Sequence, residues 1–462
     1  MKNRFSVNKL FRSVVCTVLA VVMLALCACN GGGEEQQPSE QESTLLVRVV
    51  KAKEDTAAGS FFGITALETV EVDASTVPEG YLAKTTDAVG RKLLADVKAG
   101  DIITDSMLEK KTSSKEEPEE ELDAETAKAK GYVVVTDYIR INSRKDVSAE
   151  LQKIIDENPN TTIYFPDGEY LISKPLITSS DPEKAVSLRL STFAIIKAAS
   201  DWDDANGYMI QLGGKDKTFT VDEVGSNYYM EGGCIDGSNK ARGVEVAGGL
   251  ETSVRYVSIK FVTQGLHIAL NDESPSSYAD IETVNIVGCN LPDSVGVLVD
   301  SDGNTFTNMR VASFQVATKA NGKNNIFRNL HMLFIYTSNY DYSDSIGFWD
   351  TSEGNTYDIC YPDNFAIGFR TSGHTMSVYN NCYAYWYRKE EGQKQYGFAS
   401  DGKFNSVLKN YRVDLEKQTD GRFMIVGEEG GNGIVEYPAF PESACDDDTY
   451  KDYLVGKVVW GG

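Results

Sequence analysis

Seven positions in the second half of the chain place acidic, basic and aromatic residues at one point of a repeated motif. Each lies two residues after a glycine, or after Ala317 where the glycine is missing: Glu245, His267, Leu298, Lys319, Trp349, Arg370 and Ala399. Glu245 and His267 could act as an acid/base pair. Lys319 or Arg370 could transfer a proton or neutralise a uronate, and Trp349 could stack on a sugar ring. The alternative is a solvated surface with paired charges.

A second group of candidate residues lies in three aromatic insertions, at 272–278, 336–342 and 385–390. They recur every second repeat, so we expect them on one side of the molecule, about 10 Å apart. Aromatic faces stack on sugar CH groups, and exposed aromatic side chains are otherwise costly. The predicted binding residues are Tyr278, Tyr340, Tyr342, Trp386 and Tyr387, and the available carboxylates are Asp300, Asp302 and Asp350. The alternative is that the aromatic side chains pack against one another and cover the edges of the repeats.

The glycines define the fold that must position these residues. Their spacings are 22, 31, 51, 21 and 29 residues, and the longest splits into about 21 and 30 at Ala317. Periods in this range signal a repeat architecture. Because each repeat is strand-like, we predict an all-β fold, a single-stranded right-handed parallel β-helix over residues 129–462.

A second alignment predicts which side chains face inward. Residues 304–311 align with residues 325–332 at an offset of 21. On strands of period 2, Phe306 and Phe327 would point into the core. Asn308 and Asn329 would lie at a corner, where asparagine tolerates unusual backbone angles. Arg310 and His331 are neighbours on another outward row and form a second-choice site.

The first 44 residues are a targeting segment and tether. Four basic residues precede an apolar stretch at 14–26, which is too short for a comfortable membrane span. The following Leu26-Cys27-Ala28-Cys29 resembles a bacterial lipobox with Cys29 as the lipidated residue. Residues 1–29 are therefore the expected lipoprotein signal, and residues 30–44 a flexible tether. The alternative is ordinary secretion with cleavage nearby.

Composition restricts the partners and cofactors. The net charge of −23 argues against nucleic acid as a partner. Five cysteines follow Cys29, without a CxxC spacing, and the chain has three histidines, so neither a disulfide framework nor a metal site is indicated. We expect no cofactor; the alternative is a bound calcium ion.

Residues 45–110 predict a small β domain. Leu46–Val50 alternates as a strand, and Val97 to Thr104 reads Val-Lys-Ala-Gly-Asp-Ile-Ile-Thr before Met107. This order resembles the SAF family of small β-clip modules, and most closely the pilus-assembly type. The resemblance implies an adaptor without catalytic residues of its own, and an envelope protein as a possible partner. Residues 111–128 form an acidic linker.

The start of the large domain resembles the pectate-lyase superfamily of β-helices. An amphipathic helix is predicted after Asp146 or Ser148, and Phe165-Pro166-Asp167-Gly168 follows in a strand. The resemblance implies a capping helix and a first rung of the coil. The catalytic motifs of polygalacturonases and lyases are missing, so the chemistry does not follow from the resemblance.

Together these features predict a lipid-anchored protein on the extracellular face of a bacterial membrane. Its β-helix would bind, and could cleave, a polysaccharide as a lyase or glycoside hydrolase. The alternative is a non-catalytic adhesin or envelope-assembly protein that uses the β-helix as a rigid binding arm.

Overall fold

The structure is a computed structural model in which the described residues are 46–63, 66–89, 91–109, 122–142, 144–216, 228–270, 276–373, 375–387, 394–415, 421–444 and 448–460. The predicted lipobox with Cys29, the tether 30–44 and most of the linker lie outside the described residues. In the described part, no helix has the length and apolar character that crossing a membrane requires. The chain divides into two compact units, residues 1–118 and 119–462.

The first unit is built around an antiparallel pair, β1 (Leu46–Ala52) and β2 (Leu67–Asp73), in which Val49 pairs with Val70. Isolated antiparallel bridges, such as Lys51 to Ile102 and Leu93 to Leu108, add further segments. Short 3-10 helices span Ala74–Thr76, Thr85–Asp87 and Asp105–Met107. The buried side chains include Val50, Phe62, Leu93, Val97, Ile103 and Leu108. Such a strand-rich unit with a small apolar core agrees with the β-clip prediction.

The second unit is a parallel β-helix with three faces. Its described strands form sheets of 13, 12 and 10 members, and from Thr161–Phe165 onward consecutive strands of the chain fall on different sheets. Parallel crossovers are right-handed in nearly all proteins, and the fold is the predicted right-handed β-helix.

Face 1 is the sheet that each coil enters first. Its strands are Val133–Val134, Thr161–Phe165, Val186–Leu190, Tyr229–Glu231, Ser253–Arg255, Asp280–Glu282, Thr305–Thr307, Ile326–Arg328, Thr356–Asp358, Val378–Asn380, Val407–Lys409, Ile434–Glu436 and Leu454–Val455.

Face 2 follows after a tight corner. Its strands are Gly168–Ile172, Ala194–Ala198, Cys234–Asp236, Ser258–Val262, Asn285–Gly288, Arg310–Ala312, His331–Leu333, Tyr361–Asp363, Tyr383–Trp386, Arg412–Leu415, Ala439–Phe440 and Val459–Trp460.

Face 3 completes each coil. Its strands are Leu176–Ser179, Tyr208–Lys215, Arg242–Val246, Leu266–Ile268, Val295–Val299, Val316–Ala320, Ile346–Asp350, Ile367–Thr371, Gln395–Ser400 and Gly421–Val426. Short 3-10 helices lie between strands at Val135–Asp137, Pro182–Lys184, Asp204–Asn206, Tyr342–Asp344, Glu442–Ala444 and Asp448–Tyr453.

Stacked aromatic rings fill the interior, as the alternation predicted. Phe306, Phe327, Tyr357 and Tyr379 pair in register on face 1, with ring centroids 4.9, 4.7 and 4.7 Å apart. All four side chains are buried. The predicted inward register is therefore confirmed, and burial of such rings is a large part of the hydrophobic stabilisation.

Asparagines occupy the corner between faces 1 and 2, also as predicted. Asn308 and Asn329 have φ values of 55–57°, and the Asn329 side-chain amide donates to Asn308 Oδ1 at 2.8 Å. The same corner holds Tyr256, Ile359 and Tyr437 in the left-handed region. Because that region disfavours bulky and β-branched residues, these three positions are strained.

A second, buried ladder lies at the corner between faces 3 and 1. Asn304 Oδ1 accepts from the Ala279 N–H, Asn325 Oδ1 from the Asn304 N–H, and Asn355 Oδ1 from the Asn325 N–H, each at 2.8 Å. The three asparagines are fully buried. Their side chains therefore satisfy backbone donors that a buried corner would otherwise leave unpaired.

One helix closes the N-terminal end of the unit, and a second packs near that end in a separate small apolar cluster. The predicted capping helix is α2 (Ser148–Glu157), which buries Leu151, Ile154 and Ile155, while Asp146 accepts from the Ser148 N–H at 2.9 Å. Residues assigned to the linker form α1 (Ala124–Ala129), in which Ala127 packs with Val134 and Tyr164. The linker prediction therefore extended too far, because alanine in an acidic segment was not recognised as a packing residue.

Candidate functional site

The predicted row of outward residues is continuous on face 3. Glu245 pairs with His267, and the register then runs through Leu298, Lys319, Trp349, Arg370 and Ala399. Adjacent coils lie about 4.8 Å apart, so the six steps span about 29 Å. We call these seven residues the first row. It is formed because the preceding glycines lack a side chain: a Cβ at Gly265 or Gly368 would meet neighbouring coil atoms within 3.0 Å.

His267 lies between two carboxylates. Its Nδ1 is 2.9 Å from Glu245 Oε1 and its Nε2 is 2.9 Å from Asp300 Oδ2. Burial alone would lower the pKa of His267, but the bonds to Asp300 and Glu245 outweigh it and raise this pKa to about 9. The same bond from His267 lowers the pKa of Asp300. The imidazole is therefore charged at neutral pH, which suits a hydrogen-bond donor and not a general base.

Trp349 is held between two cations. Lys319 Nζ lies 4.4 Å and the Arg370 guanidinium 4.9 Å from the indole ring. Arg370 Nε also donates to Asp401 at 2.9 Å. Lys319 lies on one side of the Trp349 ring and Arg370 on the other, so both ring faces make cation–π contacts within the protein. The structure thus brings these three predicted residues together, but with the indole covered and not open to a sugar.

A second polar row lies two positions after the first, just beyond the end of each strand, and of its members the sequence predicted only Asp300. Asn321 donates to Asp300 Oδ1 at 2.6 Å, and Thr351 donates to Asn321 Oδ1 at 2.6 Å. Ser372 and Asp401 continue the row on the next coils. We call these five residues the second row. The signal in the sequence was a polar residue four positions after each repeat glycine, or after Ala317.

Two of the predicted carboxylates lie outside the first and second rows. Asp350 is fully buried, where it accepts from Asn355 at 3.0 Å and from Tyr379 at 3.3 Å, and burial raises its pKa. Its prediction as a surface carboxylate is therefore wrong, because it is an inward residue of its strand. Asp302 is exposed in the turn after face 3 and accepts from the Lys323 N–H at 2.6 Å.

The aromatic insertions emerge at two different corners. Tyr278 lies between faces 3 and 1, whereas Tyr340, Tyr342 and Tyr387 lie between faces 2 and 3. Tyr278 is exposed, as predicted, and its ring covers Gly303. Tyr387 is half-buried, with its ring 6.1 Å from Tyr385. The prediction of one common side was therefore wrong, because a repeat length does not say which corner holds the extra residues.

Three of the predicted aromatic contacts are mainly structural. Trp386 is only 1% exposed and its Nε1 donates to the Phe365 carbonyl at 2.7 Å. Tyr342 is buried and donates to the Asn364 carbonyl at 2.8 Å, and Tyr340 packs partly buried against Phe334. Trp386 ends a strand and points inward after Ala384, so its prediction as a loop residue was wrong.

The second-choice site on face 2 contains a stack of rings. His331 stacks on Tyr361 at 4.3 Å, Tyr361 on Tyr383 at 4.6 Å, and Arg412 lies 4.4 Å from the Tyr383 ring. His331 Nε2 is 2.8 Å from Asp363, and Arg310 precedes His331 in the row. Because the rings stack on one another, they offer their edges to solvent.

Metal and thiol chemistry have little support in the described residues. There, no group of three or more His, Cys, Asp or Glu side chains could hold a metal ion. Cys234, Cys289, Cys360 and Cys382 are free thiols, and burial raises the pKa of Cys289 to about 11. What face 3 offers is a two-row surface of charged and hydroxyl- or amide-bearing side chains.

Comparison with known proteins gave one family match, in the first unit, and several similar solved structures. Residues 47–109 match the SAF domain family. No curated protein sequence matches the chain. Similar solved structures include PfbA, a surface adhesin of Streptococcus pneumoniae, with 13% identity and a TM-score of 0.42 over 67% of this chain and 87% of that chain.

Two further structures are similar at lower identity. The tailspike protein gp49 of Acinetobacter baumannii bacteriophage Fri1, a capsular polysaccharide depolymerase, has 11% identity and a TM-score of 0.47 over 72% of this chain and 61% of its own. An alginate lyase from Paenibacillus sp. str. FPU-7 has 11% identity and a TM-score of 0.42 over 59% of this chain and 97% of its own. At these identities the likeness concerns the fold alone.

Proposed function

We propose that this chain is a lipid-anchored cell-surface protein whose β-helix binds a polysaccharide along face 3. The observation that carries the proposal is the pair of parallel rows, which presents charged, amide and hydroxyl groups over about 29 Å of consecutive coils. A linear polymer of sugars offers hydroxyl groups at regular intervals along such a length. Tyr387, at the corner beside face 3, is a partly exposed ring for sugar CH groups.

Binding without cleavage is the function that the geometry favours. Catalytic bases need a pKa near the working pH, and the His267 pKa of about 9 is too high for that role. Lys319 and Arg370 are engaged with Trp349, and Arg370 also with Asp401. Asp300 and Glu245 remain the candidates for acid or base if the protein also cleaves its ligand, as hydrolase or lyase.

Two further parts of the proposal concern location and partners. The lipobox resemblance at Cys29 supports an acyl anchor, which attaches a protein to a membrane without spanning it. The match of residues 47–109 to the SAF domain family supports docking to an envelope protein through this unit. The first part is checked by fractionation, because Cys29→Ala protein should leave the membrane fraction.

A glycan panel tests the main proposal. Detergent-solubilised mature protein should bind at least one polysaccharide, and Asn321→Ala should weaken that binding by about tenfold, because each lost hydrogen bond to a charged or polar partner costs ~1–2 kcal/mol. Thr307→Ala is the matched control, since Thr307 is an outward residue of face 1. Reducing-sugar release and absorbance at 235 nm, measured on the same samples, detect cleavage. Equal binding by both variants would exclude face 3.

A further inference from the structure

A cleft of about 860 Å³ lies at the corner between faces 1 and 2, near the N-terminal end of the β-helix. Its floor is formed by the turns of four successive coils, which include Pro166, Ser191, Gly232 and Tyr256. The segment from Leu122 to Lys130, which contains α1, forms the opposite wall. This cleft is separate from face 3, since face 3 contributes none of its lining residues.

The lining is polar and nearly balanced in charge. Asp123, Asp167 and Glu231 face Lys130 and Arg189, with Glu231 and Arg189 3.4 Å apart. Ser191 donates to the Asp167 carboxylate, and Ser258 adds another hydroxyl. Carboxylate, guanidinium and hydroxyl groups in one cleft can both donate to and accept from a ligand rich in hydroxyl groups. The small excess of negative charge disfavours the binding of phosphate and other anions.

Tyr256 is an exposed aromatic residue at the edge of the cleft, in a backbone conformation that tyrosine disfavours. It has φ 57° and is 56% exposed at the edge of the cleft. Four equivalent positions of other coils hold asparagines, Asn308, Asn329, Asn381 and Asn410, which adopt this conformation at little cost, whereas Thr283, Ile359 and Tyr437 share the strain of Tyr256. A tyrosine held there is strained and leaves its ring partly in water, and what distinguishes Tyr256 from Tyr437 is that its ring lines a cleft.

We propose that the cleft is a binding site for a short, neutral saccharide, with Tyr256 stacking on a sugar ring and the Glu231–Arg189 pair bonding its hydroxyl groups. The volume suits a ligand of one to three rings, since pockets for such small molecules measure roughly 300–1,000 Å³. A tyrosine ring supplies the apolar face that a pyranose CH surface needs. The site does not depend on polysaccharide binding along face 3.

The test uses full-length protein in detergent and a panel of methyl hexopyranosides and N-acetylhexosaminides, with their disaccharides, followed by saturation-transfer NMR at millimolar ligand. Wild-type protein should bind at least one member, and Tyr256→Asn should weaken this binding by about tenfold, as expected for loss of an aromatic platform. The variant should fold at least as stably as wild type, because asparagine relieves the strained φ. Tyr437→Asn makes the same replacement at an exposed left-handed corner residue remote in sequence and should leave binding unchanged.

Glu231→Gln provides a second, less disruptive variant, and should also weaken binding. The proposal is overturned if no member of the panel binds, or if Tyr256→Asn and Glu231→Gln bind as well as wild type while circular dichroism shows them folded. Asn321→Ala separates the two sites, because it should reduce polysaccharide binding on face 3 and leave the small saccharide unaffected. If Asn321→Ala lost the small-saccharide signal and Tyr256→Asn kept it, the ligand would bind on face 3 and the proposed cleft site would be refuted.

Discussion

Replacing His267 by glutamine should remove a pH-dependent part of the stability. In the folded protein the pKa of His267 is raised to about 9, against an unfolded value near 6.5. A raised pKa means that the folded state holds a proton that the unfolded state has released. The stabilisation is therefore complete below about pH 6.5 and is lost as pH rises through about 9.

The magnitude follows from the difference between the two pKa values. A shift of about 2.5 units, at 1.36 kcal/mol per unit, gives about 3 kcal/mol between pH 6 and pH 10. The side chain of His267 is 15% exposed and those of Glu245 and Asp300 are 19% and 30% exposed, so solvent screening takes only part of this value.

The assay compares urea unfolding of wild type and His267→Gln at several pH values from 6 to 10. The stability difference should shrink by about 3 kcal/mol across the range. NMR titration of the imidazole gives the pKa directly, and Glu245→Gln or Asp300→Asn should each lower it. A constant stability difference, or a measured pKa near 6.5, would show that the two carboxylates do not hold the charged imidazole.

Other variants test the register and the strained corner. Phe327→Ala should destabilise the protein by ~3–5 kcal/mol, as loss of a buried ring does, while Thr307→Ala should change stability by no more than ~0.5 kcal/mol; equal effects in denaturant would place the register one residue off. Trp386→Ala should also lower the free energy of unfolding by ~3–5 kcal/mol because the indole is buried. An unchanged melting temperature would show instead that the Trp386 side chain is exposed. Ile359→Asn should stabilise by ~1 kcal/mol, since Ile359 has φ 56° beside Asn329 and Asn381; a loss in calorimetry would mean that its side chain makes a contact worth more than the strain.

The sequence predicted the repeat and the strand faces well because both depend on short-range alternation. A side chain two residues from a glycine must share its face with the same position in the next coil, and this placed Lys319, Trp349 and Arg370 in one row. The stacked Phe306 and Phe327 follow from the same rule.

Two kinds of feature lay beyond that rule. An insertion lengthens a coil without indicating which of three corners receives it, so Tyr278 and Tyr387 were expected on one side and lie at two corners. Strand ends are also undefined by alternation alone, which is why Trp386 was assigned to a loop. The engagement of Trp349 by two cations depends on side-chain conformations, which residue spacing does not determine.

The buried asparagine ladder makes the coil a unit that can be removed whole. Deleting residues 305–325 would join Asn304 to Ile326, and so would keep an asparagine before a strand with a central phenylalanine. The shortened ladder would then pass from Asn304 to Asn355, with the same backbone donors satisfied. On face 3 the deletion would remove Lys319 and bring Leu298 beside Trp349. Lineages of such proteins can therefore change the length and the charge pattern of their outer surface in steps of one coil, while the interior stays the same.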